Sequence, residues 1–158
     1  MIPLTLRKSQ GFYLENLNIS QRVIECIKKD DWNNLDLEFQ RLTSPGGEIH
    51  SLLLNYIYFE SIEFMISIRD SANPWEEDGI WHDDGSRVLA FSLSLTLNHE
   101  NLEGGFLGIR KKGEEEFVKI PTPPLGTMIV FLTGVHGYEH KIHQVTKGRR
   151  IVIAGWCS

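Results

Sequence analysis

From Ile62 onward the sequence consists of short apolar runs separated by turn residues. Runs of this length with punctuation this frequent favour an all-β sandwich or jelly roll over βαβ units, which need a helical crossover between parallel strands. The pattern predicts strands near 62–70, 80–84, 87–98, 105–110, 116–120, 126–132, 139–145 and 149–157. Eight strands is the jelly-roll count. The fold class expected is therefore mostly β, with a jelly-roll core over 61–158 and helical support over 1–60.

The N-terminal part supplies two predicted helices. Ser20 is placed to cap a helix over 19–29, in which Val23, Ile24 and Ile27 fall at helical spacing and Lys28 and Lys29 suit the C-terminal end. Asp30 to Asn34 reads as a turn, and the alternation of Leu35, Leu37 and Phe39 with polar residues reads as a strand with one buried face. After Ser44-Pro45-Gly46-Gly47, the apolar run from Glu48 to Glu60 is expected to be a second helix packed on a sheet.

Composition sets outer bounds. At 158 residues and 41% hydrophobic, the chain has enough core for one globular domain. A formal net charge of −5 argues against a dedicated nucleic-acid surface, because phosphate binding depends on lysine and arginine. Cys26 and Cys157 follow no metal-ligand spacing, Met1 to Gln10 lacks the apolar region of an export signal, and no apolar run approaches a membrane span. A reducing cytoplasm is the expected setting, with oligomeric state left open.

The chemistry concentrates in Gly79 to Arg87, GIWHDDGSR. On a strand, His82 and Asp84 stand at i and i+2 and share a face, so imidazole and carboxylate converge. Such donors suit a first-row divalent ion, and two histidines with one carboxylate leave coordination positions open, as in non-haem iron oxygenases. Alone, His-x-Asp is better read as a strand-end histidine bonded to a turn aspartate; the far end of the chain reverses that preference. A second histidine would come from the far end, where His136, His140 and His143 compete. Arg150, at the start of the last predicted strand, can hold a carboxylate through two parallel hydrogen bonds, and alternation sends its neighbour Arg149 to the opposite face.

Taken in order, His82-x-Asp84, Glu103-Gly104-Gly105-Phe106-Leu107, His140 and Val145-Thr146-x-Gly148-x-Arg150 resemble the 2-oxoglutarate and Fe(II)-dependent dioxygenase family, most of all its prolyl-hydroxylase-type branch, over roughly 60–157. The resemblance implies a double-stranded β-helix core. It implies His82, Asp84 and His140 as Fe(II) ligands, and Arg150 as the residue that binds the distal carboxylate of 2-oxoglutarate. His140 is preferred over His143 because its ten-residue spacing to Arg150 fits the family register, whereas His143 leaves seven.

In that register Leu107 and either Thr96 or Ser94 line the cosubstrate pocket, while Arg69 stands where many relatives carry a tyrosine. An inward-facing Arg150 would be costly without an anion, and a bound dicarboxylate removes that cost; the other reading is an internal ion pair. Trp75 in the loop 71–79 and His136 in the loop 133–139 are placed to contact substrate. The implied activity uses Fe(II), 2-oxoglutarate and O2 to hydroxylate a C–H bond, releasing succinate and CO2. Asp84 favours hydroxylation over halogenation, and the branch points to a prolyl, peptidyl or amino-acid substrate, or another small molecule. Two other readings share the barrel: a cupin-like metal-binding protein, which Pro124-Leu125-Gly126 fits but the lack of His-x-His followed by glutamate does not, and a non-catalytic binding module.

Overall fold

The computed structural model of the chain describes residues 6 and 10–158, so most of the segment read above for an export signal lies outside the described residues. In order, the elements are β1 (Phe12–Asn16), α1 (Gln21–Lys28), α2 (Trp32–Thr43), α3 (Glu48–Leu53), β2 (Ile62–Arg69), β3 (Leu89–Ser94), β4 (Glu103–Gly104), β5 (Leu107–Lys111), β6 (Val118–Ile120), β7 (Thr127–Phe131), β8 (Tyr138–Ile142), β9 (Val145–Lys147) and β10 (Arg150–Cys157). The strands form a five-stranded sheet of order β1-β7-β3-β10-β2, a three-stranded sheet β6-β5-β8 and a two-stranded ribbon β4-β9, all antiparallel. The jelly-roll expectation holds.

Strand alternation assigns the two faces of the large sheet. On β10, Ile151, Ile153 and Cys157 face the helices; on β3 and β7, Phe91, Leu93, Met128 and Val130 join them. Val23 and Ile27 of α1, Leu35 and Phe39 of α2 and Ile49 and Leu53 of α3 close that core. The opposite face sets Ala90, Ile129 and Phe131 against Leu107 and Ile109 of β5 and Ile120 of β6. Because β3 is buried on both faces, its sequence is almost continuously apolar. The polar residues that remain on its inner face, Ser92 and Ser94, lie on the side that holds the site.

Four expectations from the sequence are corrected. Leu35, Leu37 and Phe39 belong to helix α2, so three helices rather than two support the sheet. Leu35 and Phe39 lie four apart on its buried stripe while Leu37 is 58% exposed, and Asp31 starts the helix by accepting from Asn34 N at 3.3 Å. The helix expected over 48–60 stops at Leu53. No strand forms over 80–84 beyond a single bridge at His82, and the run 139–145 is divided between β8 and β9.

Ser20 caps α1, accepting from Val23 N at 3.2 Å. No helix among the described residues is long and apolar enough to cross a membrane. Phe39 is fully buried between α2 and the sheet. Phe39→Ala is expected to cost about 3–5 kcal/mol, the range for emptying a buried phenylalanine site, and urea unfolding of the purified variant measures it. A loss below about 1 kcal/mol would contradict the packing described.

Candidate functional site

His82 and His140 are brought together by the backbone. His82 N donates to His140 O at 3.0 Å and His140 N donates to His82 O at 2.8 Å, while Gly79 N donates to Ile142 O at 2.7 Å. The segment before Asp83 thus runs along β8 as a short extra edge. Opposed residues of an antiparallel pair project to the same face, and the two imidazole centroids lie 4.2 Å apart.

Asp84 joins them by a turn, not by strand alternation, which corrects the i, i+2 argument. Its φ is +58°, a left-handed conformation that aspartate tolerates better than most residues. Asp83 makes the turn: its Oδ1 accepts from Gly85 N at 3.0 Å, and its carbonyl accepts from Gly134 N at 2.7 Å and from Thr133 Oγ1 at 2.6 Å. Lys112 Nζ reaches Asp83 Oδ2 at 2.8 Å. The carboxylate of Asp84 then meets His140 Nε2 at 3.1 Å and His82 Nε2 at 3.7 Å.

One donor atom from each of His82, Asp84 and His140 lies within 4.8 Å of the others, the one such group among the described residues. His82 Nδ1 lies 3.1 Å from Ile80 O; donating there leaves the Nε2 lone pair free for an ion. Trp156 Nε1 donates to Asp84 Oδ2 at 2.9 Å and fixes the carboxylate. Burial alone would raise the Asp84 pKa, but the hydrogen bond and charge of His140, the charge of His82 and the Trp156 donor together hold it below the usual range. Burial holds His140 below its ordinary value against the pull of Asp84. A neutral imidazole beside an ionised carboxylate is the protonation state that metal binding requires.

A pocket of about 100 Å³ opens beside these residues, several times the ~10–15 Å³ that one water needs. Arg150 lines it, together with Val152 and Trp156 from the same face of β10. The Arg150 side chain is buried, its Nε donates to Thr122 Oγ1 at 3.3 Å, and its Nη1 has no hydrogen-bond partner among the described residues. Burial, reinforced by the nearby positive charge of Arg69, pushes its pKa down to about 9 against a smaller opposing pull from Asp78. Arg149, on the opposite face as alternation predicts, is exposed and pairs with Asp30 at 3.1 Å. An internal ion pair for Arg150, the alternative drawn from sequence, is not formed with any described acid.

The structure sorts the remaining expected positions. Leu107 and Trp75 line the pocket. Arg69 lines it too and lies opposite Arg150 in the β2–β10 register, but its guanidinium is engaged: Nε donates to Asp78 at 2.9 Å, Nη1 to Ser67, and the Trp75 ring stacks at 3.8 Å. Thr96 and Ser94 stand outside the pocket lining, and the Thr96 hydroxyl bonds Ile151 O and N at 3.0 Å; Ser92, one pair of residues earlier, lines the pocket instead. His136 sits in a short 3-10 turn outside the pocket, and burial lowers its pKa. His143 is exposed and stacks on Phe106 at 4.1 Å, away from the donor set.

Sequence reasoning missed Trp156, Asp83 and Thr122. Trp156 carried a usable signal, since it stands six residues from Arg150 on the same strand and must share its face. Asp83 and Thr122 carried none, because each acts through a contact that only the folded chain creates.

The donor chemistry fits a first-row ion, and a buried guanidinium whose Nη1 has no partner among the described residues fits an organic anion. The comparisons agree. A prolyl-4-hydroxylase from Pseudomonas putida superposes with TM-score 0.64 at 16% identity, over 96% of this chain and 89% of that one. A prolyl hydroxylase from Trichoplax adhaerens, solved in complex with a hypoxia inducible factor oxygen degradation domain peptide fragment, superposes with TM-score 0.63 at 15% identity, over 99% and 87%. A prolyl 4-hydroxylase structure from Phytophthora capsici gives 0.60 at 11% identity, over 96% and 60%. These likenesses establish the shared fold; no curated protein matches the sequence. The sequence profile of the 2OG-Fe(II) oxygenase superfamily matches residues 71–158, more than half the chain, including the His-Asp-His group and Arg150, and the chain belongs to that superfamily.

Proposed function

We propose that the chain is an Fe(II)- and 2-oxoglutarate-dependent hydroxylase, with His82, Asp84 and His140 as iron ligands and Arg150 as the anchor for the distal carboxylate of the cosubstrate. The observation that carries this reading is a pocket lined by His82 and His140, whose donor atoms cluster with that of Asp84, and by a buried Arg150 whose Nη1 has no partner among the described residues. When bound, iron and 2-oxoglutarate together with O2 supply the oxidising chemistry, with succinate and CO2 as expected products.

The chain's own residues bind, orient and exclude water. Trp156 holds the Asp84 carboxylate, and the Ile80 carbonyl fixes the orientation of His82. Leu107, Phe131 and Ile142 give the pocket an apolar wall, which strengthens electrostatic contacts inside it. Trp75, Glu77 and Met65 form the rim available to substrate. A peptidyl or amino-acid substrate is supported by the peptide complex of the Trichoplax protein, whose fold this chain shares. His136, outside the pocket, is given no part in binding.

Anaerobic titration of the protein with Fe(II) and then 2-oxoglutarate tests the proposal, through the visible charge-transfer band of a chelated 2-oxo acid. The band is expected in the native protein. Arg150→Ala is expected to raise the apparent Kd for 2-oxoglutarate at least tenfold, because a charge-assisted hydrogen bond contributes roughly 1.5–3 kcal/mol. Iron bound with no band at saturating 2-oxoglutarate would refute the cosubstrate assignment and leave a non-catalytic binding module as the better description.

A further inference from the structure

Arg150 is aimed by very little. Its charged neighbour Arg69 lies directly across the β2–β10 pair, and like charges opposed in this way repel. Asp78, whose charge acts on Arg150, is held by Arg69 and by Trp75 N at 3.2 Å. The hydrogen bond resolved for the Arg150 guanidinium is the one to Thr122.

Thr122 is built to receive that bond. Its hydroxyl, buried, donates to Gly105 O at 3.2 Å. A hydroxyl has one proton, so with the proton committed to a carbonyl its lone pairs are left for Arg150 Nε. The backbone is stiff here: Thr122 stands between Pro121 and Pro123, with Pro124 following, and proline fixes φ in itself and restricts the residue before it. Gly105 completes the socket. With φ at +72° and no side chain, it leaves room for the arginine stem: a Cβ there would lie 3.0 Å from Arg150 Cδ and 3.0 Å from Val145 Cγ2.

We propose that Thr122 is a positioning residue that sets the plane of the Arg150 guanidinium and thereby the affinity of the pocket for a dicarboxylate such as 2-oxoglutarate. Tying Nε to a fixed hydroxyl removes rotation about the end of the side chain, so the two terminal nitrogens meet a carboxylate without further ordering. The proposal rests on Arg150 being the anchor for the distal carboxylate.

The test uses the full chain under anaerobic conditions and reads two dissociation constants, for Fe(II) and for 2-oxoglutarate on the iron-loaded protein, in Thr122→Val, Thr122→Ser and Arg150→Ala. Thr122→Val keeps the shape and removes the hydroxyl. It is expected to weaken 2-oxoglutarate roughly tenfold, the scale of one hydrogen bond to a charged group, with the Fe(II) constant unchanged. Thr122→Ser, which restores the hydroxyl, is expected to return 2-oxoglutarate affinity to within about threefold of the native value. If Thr122→Val does not fold, Thr122→Ala carries the same expectation.

A Thr122→Val protein that binds 2-oxoglutarate like the native one, while Arg150→Ala does not, overturns the positioning role alone. Equal weakening of Fe(II) and 2-oxoglutarate overturns it as well, since that is the mark of a disturbed pocket. If Arg150→Ala leaves 2-oxoglutarate affinity intact, the anchor assignment itself has failed.

Discussion

His140→Ala is expected to abolish Fe(II) binding and 2-oxoglutarate turnover, whereas His143→Ala is expected to retain both. The two histidines are three residues apart in the chain, yet their surroundings differ completely. His140 is buried, exchanges both backbone hydrogen bonds with His82 and turns its Nε2 to Asp84 at 3.1 Å. His143 is exposed and stacks on Phe106. Loss of a residue that merely supports a metal ligand commonly costs 10–100-fold in affinity, so loss of a ligand should exceed about a hundredfold. Anaerobic Fe(II) titration with 2-oxoglutarate decarboxylation as the second readout measures it. The reverse pattern, His143 essential and His140 dispensable, would remove the donor set on which the functional reading stands.

The second large effect is expected at a residue that touches no ligand. Gly134 sits where the turn after β7 packs on the loop that carries Asp84, and a Cβ there would collide with the Gly85 carbonyl oxygen and come within 2.9 Å of the Asp83 carbonyl oxygen. Neither atom can retreat easily, because the Asp83 carbonyl already accepts from Gly134 N and Thr133 Oγ1. Gly134→Ala is therefore expected to push the turn and the loop apart. We expect a stability loss of about 2–3 kcal/mol, the scale of overpacking a close contact, together with a fall of roughly 10–100-fold in Fe(II) affinity as Asp84 is displaced. Thermal unfolding and the same iron titration would show both; native iron affinity in a destabilised protein would mean that the loop position does not govern the site.

The sequence made the sandwich legible because strands buried between the helices and the second sheet read as short apolar runs punctuated by turn residues. It misled at Leu35, Leu37 and Phe39, where residues two apart also contain a pair four apart. The Asp31 cap decided for helix, and that bond became visible only in the folded chain. Motif spacing singled out three residues that the fold does bring together, but by another route than strand alternation: Asp84 reaches His82 through a left-handed turn. Thr96 or Ser94 was expected to line the pocket, yet Ser92 lines it and the Thr96 hydroxyl is consumed by Ile151, a competition that no pattern in one dimension records. Arg69 was singled out for standing in place of a tyrosine, while its partner Asp78 lay nine residues away in a loop with no periodicity to place it.

The backbone pairing of His82 with His140 also bears on when the site comes into being. Two imidazoles that belong to opposed residues of one sheet are held at a distance set by amide hydrogen bonds, not by an ion. Small metallodomains often have no fold until the metal arrives; here the two histidines that would receive it are spaced by an isolated backbone bridge between the segment after β2 and β8. The conformational entropy of gathering two nitrogens from distant parts of the chain is thus met by the backbone pairing itself.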